Sequence, residues 1–378
     1  MDRRKFLTRA GSGVVAGSWL MASSTLGLQA SEVTLPKGAG RVKVVEEGVV
    51  YAKSTAIISG VCRCQNGDLL VSFNTGGDLS AGQHNGLVRS TDGGKTWSDR
   101  PEAMFESVFK KGGIEAGCSL TCLSNGRLLL PYADGFYLYP KQKGNDDRFA
   151  LLFCLTSDDY GQTWQNAKAQ SYDGLEAYAF GKVVELPSGN LLLPLFGARD
   201  RRGTYSAGVV QSRDNGDTWS DYRCIAPDRG SETPIVLLRD GRILALIRGY
   251  HGQDYDAVSP RDFYVGYSPD GGETWTIPQQ VNMTGTSPAV HLTPKGLLLA
   301  GYRSTMGQAT DGRCQLSSSL DNGQTWDFEL ELQLTQGQWN YGGYPAFVTL
   351  ADGRILVTFH NNAAKLPWHT EYNILAEQ

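Results

Sequence analysis

The chain has 378 residues, with 35 Lys and Arg against 39 Asp and Glu, so its net charge is −4. This balance gives no electrostatic basis for nucleic-acid binding, and a hydrophobic content of 40% excludes wholesale disorder. The 46 Gly, together with 8 Trp and 17 Tyr, predict many β-strands joined by tight turns.

The first thirty residues have the pattern of an export signal. Arg3 and Arg4 precede an uncharged run, rich in Gly and Ser, that extends from Ala10 to Ala30. This arrangement resembles a bacterial twin-arginine signal. A short membrane anchor is the alternative, but the segment is too polar and Gly-rich to favour it. We expect residues 1–30 to be the signal, the protein to be periplasmic or secreted, and the mature chain to lack a membrane span.

The seven cysteines do not indicate a metal centre. They form no metal-binding spacing, and an odd count argues against a complete disulfide framework. We expect most of them to be buried thiols that pack as small hydrophobic side chains. No metal and no cofactor are expected.

A turn glycine followed by a short apolar strand recurs along the chain at spacings of 52 to 63 residues. Examples are NGDLLVSF, DGRILALIR and DGRILVTFH. The six turn residues are Gly67, Gly126, Gly189, Gly241, Gly296 and Gly353. Apolar residues also precede each Gly, so each unit predicts a β-hairpin.

A second pattern, S-x-D-x-G-x-x-W, falls between the hairpins. Its five copies begin at Ser90, Ser157, Ser212, Ser268 and Ser319. In each copy Asp and Gly shape another hairpin turn, and the Trp packs into the sheet.

Together the repeats predict an all-β, six-bladed β-propeller of four-stranded blades with five such boxes, in a single domain over residues 31–378. The last hairpin has only a short tail, so we expect residues near Val42 to Val50 to supply its outer strand. Closing the ring in this way removes a sheet edge.

The boxes resemble the Asp boxes, or BNR repeats, of sialidases and related propellers. The resemblance covers nearly all of residues 31–378. It implies the propeller fold and a retaining glycoside hydrolase. The implication for function is less specific than that for the fold, because non-enzymatic propellers also carry Asp boxes. The Asp residues of the boxes are structural in this reading.

Repeat geometry places two residues of each hairpin at the strand ends away from the turn, facing the axis from one side. Those nine before the turn Gly are Ile58, Gly117, Phe180, Glu232, Ser287 and Tyr344. Those seven after it are Asn74, Ala133, Phe196, Arg248, Arg303 and His360. One mouth of the propeller therefore gathers Glu232, Arg248, Arg303, Tyr344 and His360.

The sialidase resemblance implies roles for residues at this mouth. SETPIVLLRDGRILALIR matches a Glu and an Arg of the family, and GYPAFVTLADGRILVTF matches its Tyr, so Tyr344 would be the nucleophile and Glu232 its base. Arg248 and Arg313 would bind the substrate carboxylate. Asp78, in NTGGDLSAGQHNG, would be the acid/base. Tyr341 is the alternative nucleophile.

The sequence departs from the family on its first blade. Sialidases carry an Arg-Ile-Pro motif there, whereas no Arg stands at Ala56 to Ile58. Lys53, Arg303 or another cation completes the carboxylate clamp, or the sugar is not sialic acid. The expected partner is a sialylated or other acidic glycan, bound by a monomer. The alternatives are a hydrolase of another acidic sugar and a glycan-binding propeller without catalysis.

Overall fold

The computed structural model describes most of the chain beyond residue 40. The described residues are 41–76, 85–98, 102–103, 113–116, 119–136, 149–165, 170, 176–199, 205–227, 230–249, 261–304, 313–327, 332–334, 342–361 and 368–378. All of them belong to one compact unit, Lys37–Gln378. The twin-arginine segment lies outside the described residues.

The described residues form strands and turns and contain no helix, as expected from the sequence. One sheet has the order β2 (Ile57–Arg63), β3 (Leu69–Asn74), β4 (Asn85–Ser90) and β5 (Glu102–Ala103). In the next, β8 (Leu128–Phe136) pairs with β6 (Gly113–Ala116), β7 (Thr121–Cys122) and β9 (Phe149–Ser157). A third contains β10 (Tyr178–Ala179), β11 (Val184–Glu185), β12 (Leu191–Ala198), β13 (Tyr205–Ser212) and β14 (Ser220–Ala226).

The seven strands of the fourth sheet are β15 (Ile235–Leu237), β16 (Ile243–Arg248), β17 (Arg261–Ser268), β18 (Gln279–Leu292), β19 (Leu298–Ser304), β20 (Arg313–Ser319) and β21 (Leu332–Gln333). Its long strand β18 pairs with β17 through its first half and with β19 through its second half. The sheet thus consists of two units that share one strand. The β-propeller architecture is confirmed, and the count of six blades stays a prediction that this division supports.

The last sheet joins the two ends of the described chain. Its order is β1 (Val42–Tyr51), β24 (His369–Glu377), β23 (Ile355–Asn361) and β22 (Gly343–Thr349). The antiparallel ladder between β1 and β24 runs from Val42 opposite Glu377 to Tyr51 opposite Thr370. As predicted, the N-terminal strand supplies the missing outer strand, and no edge is left at β24.

Each hairpin glycine closes its turn in the same way. The N–H of Gly67 donates to the carbonyl of Cys64 at 3.0 Å, and the N–H of Cys64 donates to the carbonyl of Asp68 at 2.8 Å. Gly67 has φ 93°, a value that favours glycine. The turn is therefore a four-residue turn ending in a left-handed Gly, a longer connection than a two-residue Asn-Gly turn.

The five Asp boxes share one hydrogen-bond pattern. In the first, Ser90 Oγ donates to Asp92 Oδ1 at 2.8 Å and accepts from the N–H of Gly94 at 2.9 Å. Thr96 donates to Asp92 through both its N–H and its hydroxyl, which lowers the pKa of Asp92 to about 2. The bond from the box Gly N–H to the box Ser hydroxyl recurs at Gly161, Gly216, Gly272 and Gly323. The Asp carboxylates thus accept hydrogen bonds within their own turns, which agrees with the prediction that they are structural.

The core lies between neighbouring sheets. Leu70 and Leu87 of the first sheet pack on Leu128 and Tyr132 of the second. The same kind of contact joins the last sheet to the first. Inner strands such as β3 and β23 are buried along their whole length, so packing on both faces positions their ends around the axis, where the candidate site lies.

Candidate active site at one mouth of the propeller

Three inner strands carry the same distortion at the mouth. The ladder pairs Ile57 with Asn74, Thr286 with Arg303 and Gly343 with His360, and its register shifts directly afterwards in all three. The next residues, Ile58, Ser287 and Tyr344, have φ of 55°, 51° and 52°. Such backbone costs non-glycine residues on the order of 1–3 kcal/mol and concentrates at functional sites. Its recurrence at one level of the propeller marks this mouth as the candidate site.

Glu232 and Arg248 form a buried ion pair at the mouth. Glu232 Oε2 accepts from Arg248 Nη1 at 2.7 Å and from the N–H of Ser287 at 2.8 Å. The two side chains are 6% and 13% exposed. A backbone bond from the N–H of Arg248 to the carbonyl of Glu232, at 3.1 Å, fixes the strand ends that carry them. Two donors on one buried carboxylate oxygen hold Glu232 in a defined orientation.

Arg303 lies in a second group with Tyr344 and His360. Arg303 Nε donates to the carbonyl of Gly342 at 2.8 Å, and Nη2 lies 3.2 Å from His360 Nε2. Its guanidinium carbon is 5.7 Å from the centre of the Tyr344 ring. The ring centres of Tyr344 and His360 are 5.5 Å apart.

His360 is a neutral imidazole. The N–H of Ile58 faces its Nδ1 at 3.4 Å, and Arg303 faces its Nε2, so a donor stands at each ring nitrogen. Burial, followed by the charges of Arg303 and His369, keeps the pKa of His360 well below its usual range. A neutral ring can accept at only one of its two nitrogens, so the donors alone do not set the protonation of His360, and burial is the main cause of its low pKa.

Tyr344 is half-buried and continues an aromatic series across the axis. Its ring centre lies 6.1 Å from that of Phe180, which in turn lies 6.0 Å from Phe196. Beyond Phe196, the hydroxyl of Tyr205 donates to the buried carboxylate of Glu176 at 2.7 Å. Apolar and aromatic walls with a few placed charges are typical of a ligand site.

Arg313 begins β20 and pairs with Ser304, the residue after Arg303. Because successive side chains of a strand point to opposite faces, Arg303 and Arg313 leave the sheet on opposite sides. Arg303 faces the strand that carries Tyr344, and Arg313 faces away from it. Arg303 and Arg313, both predicted to bind the substrate, therefore lie on opposite faces of the sheet.

Asp78, the predicted acid/base, lies outside the described residues, as does Tyr341. On the first blade, no arginine stands at Ala56 to Ile58, where the sequence interpretation expects the family's arginine, and Lys53 is exposed. The structure thus places Glu232, Arg248, Arg303 and Tyr344 around one mouth. Their chemical roles stay predictions.

Comparison with known proteins assigns the family. A model of the BNR repeat-like domain matches residues 136–357, more than half of the chain, and a model of a single BNR/Asp-box repeat matches residues 88–99. The chain belongs to the sialidase family of BNR-repeat propellers.

Several sialidases resemble this BNR propeller. The sialidase of Bacteroides fragilis (strain YCH46) is 26% identical over 322 residues, which are 75% of this chain and 56% of that protein. The sialidase of Clostridium perfringens is 24% identical, over 52% of this chain and 53% of that protein. The chain therefore spans little more than half the length of these two relatives.

Solved structures show the same fold at lower identity. A protein of unknown function from Dyadobacter fermentans DSM 18053 superposes with a TM-score of 0.74 at 22% identity, over 89% of this chain and 100% of that one. Trypanosoma rangeli sialidase gives a TM-score of 0.65 at 14% identity, over 89% and 60% of the two chains.

Below Tyr344, this BNR propeller contains a small axial cavity that the sequence interpretation did not include. It is lined by Tyr344 and by residues that directly follow the mouth in the chain, including the polar side chains of Lys182 and His291. Burial lowers the pKa of Lys182 to about 8 and, with the nearby Lys182 charge, that of His291 to about 3. Lys182 lies in the break between β10 and β11, directly after the left-handed Gly181, so strand alternation gave no signal for it.

Within the described part of the propeller, no three His, Cys, Asp or Glu side chains come together as a metal site. Cys62, Cys64, Cys154 and Cys314 are buried thiols, as predicted. Among the described residues, no helix is long and apolar enough to cross a membrane.

Proposed function

We propose that this chain is an exo-acting glycoside hydrolase that releases a terminal sialic acid from glycans with retention of configuration. The observation that carries the proposal is the setting of Tyr344. It is half-buried in left-handed backbone at the propeller mouth, with the Arg303 guanidinium 5.7 Å from its ring. The sialidase relatives support the same reaction class.

A tyrosine nucleophile suits this substrate. The anomeric carbon of a sialic acid bears a carboxylate, which would repel an attacking Asp or Glu, whereas a neutral phenol approaches without that cost. Arg248 and Arg313 bind the substrate carboxylate through forked, charge-assisted hydrogen bonds. Arg303 adds a third positive charge at this mouth, next to Tyr344.

In the first step, the Tyr344 oxygen attacks the anomeric carbon while Glu232 takes the phenol proton. The bond to the leaving oxygen breaks, and Asp78 donates a proton to that oxygen, so the aglycone departs as a neutral alcohol. In the second step, Asp78 takes a proton from water, the resulting hydroxide attacks the anomeric carbon, and Tyr344 leaves and regains its proton from Glu232. Two displacements give net retention.

A second candidate, hydrolysis of another acidic sugar, is favoured by the absence of an arginine at Ala56 to Ile58 on the first blade. A uronic acid also presents one carboxylate, which two arginines can bind through forked, charge-assisted hydrogen bonds. The proposed glycan partner is in either case anionic at the end that enters the mouth.

The purified chain should first be assayed on a panel of fluorogenic aryl glycosides: a sialoside, a glucuronide and a neutral galactoside. Turnover of the sialoside alone supports the leading proposal, and turnover of the glucuronide alone supports the second. Binding of acidic glycans without turnover of any of them would indicate a glycan-binding propeller.

Covalent trapping with a fluorinated sialosyl fluoride tests the nucleophile itself. Mass spectrometry of the digested protein should place the adduct on Tyr344, and an adduct on Tyr341 would move the role to that residue. Tyr267→Phe is a matched control, because its hydroxyl donates to the Asn322 carbonyl, in an Asp-box turn far from the mouth. It should label as the parent does.

We also propose that residues 1–30 direct twin-arginine export. Replacement of Arg3 and Arg4 by Lys should retain the protein in the cytoplasm, as measured by fractionation of expressing bacteria. Unchanged export of the double variant would contradict this assignment.

A further inference from the structure

The Arg303 guanidinium is fixed by the protein on more than one side. Its Nε donates a hydrogen bond to the Gly342 carbonyl, and its Nη2 faces Nε2 of the His360 ring. The residue is only 7% exposed. A guanidinium held in this way reaches the neighbouring strand β22 and approaches the face of Tyr344.

Gly343 provides the space for this arrangement. A Cβ on Gly343 would lie 2.5 Å from Arg303 Nη2 and 2.7 Å from Nε, closer than atoms can approach. Gly343 does not adopt a left-handed φ, so its backbone conformation does not require glycine. The missing side chain is needed because the guanidinium lies flat against the backbone just before Tyr344.

His360 completes the setting. Its Nε2 lies 3.2 Å from Arg303 Nη2, and its low pKa keeps a second positive charge away from the guanidinium. Its ring also contacts Tyr344, with centres 5.5 Å apart, and packs against Trp368 at 5.3 Å. Arg303 and His360 therefore hold each other and contact the same phenol ring.

We propose that Arg303 is a positioning residue for Tyr344, fixing the ring and stabilising the negative charge that develops on its oxygen, instead of binding the substrate carboxylate. The inference deepens the proposed function and rests on it. A cation within about 6 Å of an aromatic centre attracts its π-electrons, and the attraction grows as the phenol becomes a phenolate. Arg313 lies on the opposite face of the sheet from Arg303. In this proposal the substrate carboxylate is bound by Arg248 and Arg313 alone.

The first test separates kcat from KM. Arg303→Met keeps the length and apolar stem of the side chain and removes its charge. It should lower kcat about 10- to 30-fold, with KM within about twofold of the parent, because the lost interaction strengthens only as charge develops. Arg303→Lys should recover part of the loss. A large rise in KM at unchanged kcat would overturn the proposal and return Arg303 to the carboxylate clamp.

The second test leaves Arg303 in the chain. Gly343→Ala should displace the guanidinium and lower kcat as Arg303→Met does, and the double variant should lose no more than either single variant. Losses that multiply would contradict a shared mechanism. Gly266→Ala is the control, because a Cβ there meets its nearest atom at 3.6 Å, and its kcat should equal that of the parent.

A third readout needs no turnover. With 3-fluorotyrosine at position 344, the ¹⁹F resonance should move in Arg303→Met and in Gly343→Ala but stay in place in Gly266→Ala. An unmoved resonance in folded Arg303→Met overturns the Arg303–Tyr344 relationship. If the resonance moves while no glycoside is cleaved, the relationship stands and the proposed hydrolase function fails, so the two failures are distinguishable.

Discussion

Glu232 and Arg248 are sixteen residues apart in the chain and form a buried ion pair, with 2.7 Å between Oε2 and Nη1. In the proposed mechanism one is the base that activates Tyr344 and the other binds the substrate. The pair couples these tasks, because a substrate carboxylate that bonds to Arg248 shares its charge with Glu232.

Glu232→Gln should abolish most turnover without unfolding the protein. The Gln oxygen can still accept from Arg248 and from the Ser287 N–H, but it cannot take a proton from Tyr344. We expect kcat to fall by about 100-fold or more, with a small change in melting temperature. Asp240→Asn, at an exposed ion pair with Arg242, is the matched control. Equal activity of Glu232→Gln and parent would remove Glu232 from the reaction.

Arg248→Ala should weaken both substrate binding and the fold. It leaves the Glu232 carboxylate buried without its cation, which typically costs about 3 kcal/mol, whereas Arg242→Ala at the surface should cost about 1 kcal/mol or less. Urea denaturation measures both values, and KM for the acidic glycoside should rise in the first variant alone. If Arg248→Ala and the parent cleave neutral glycosides equally well, the anionic-ligand proposal fails.

Lys182 should make the stability of the fold depend on pH in the alkaline range. Its pKa is about 8 in the folded protein and 10.5 in a solvated chain, so below pH 8 both states are charged and the folded state bears the cost of desolvation. Between pH 8 and 10.5 only the unfolded chain keeps the proton, and the free energy of unfolding therefore rises with pH.

Lys182→Met should raise the melting temperature at pH 7 and remove this part of the rise. The measurement is the difference between parent and variant in thermal unfolding at pH 7, 8.5 and 9.5. Lys295→Met, whose side chain is 69% exposed, should leave the pH dependence unchanged. If the melting temperatures of the parent and of Lys182→Met changed with pH in parallel, the burial of this amine would be contradicted.

Ser212→Ala should destabilise the propeller and leave catalysis intact. Ser212 is buried, and its hydroxyl donates to Asp214 at 2.8 Å and accepts from the N–H of Gly216 at 2.9 Å. Loss of this buried hydrogen bonding should cost about 1–3 kcal/mol, measured by urea denaturation. Altered kcat/KM in the folded variant would show that the Asp boxes affect the mouth.

The repeats were readable in the sequence because each depends on neighbours a few residues away. The turn at Gly67 and the box at Ser90 need only local spacing, and the closing strand at Val42 follows from counting strands. The mouth could be located too, since Glu232, Arg248 and Tyr344 lie at fixed distances from their turn glycines.

The contacts inside the mouth could not be read in the same way. The left-handed backbone of Ser287 and Tyr344, the direction of Arg303 and the close approach at Gly343 all depend on how separate strands and sheets pack. Residue spacing within one hairpin does not report that packing. For the same reason the Glu232–Arg248 ion pair was not foreseen, although both residues had been placed at the mouth.

The most direct test of the account is the turnover of a fluorogenic aryl sialoside by the parent and by Tyr344→Phe. The account predicts clear turnover by the parent and a loss of about 1,000-fold or more in kcat for the variant, with binding of the sugar retained. Equal turnover by the two proteins would contradict the role of Tyr344 as the nucleophile.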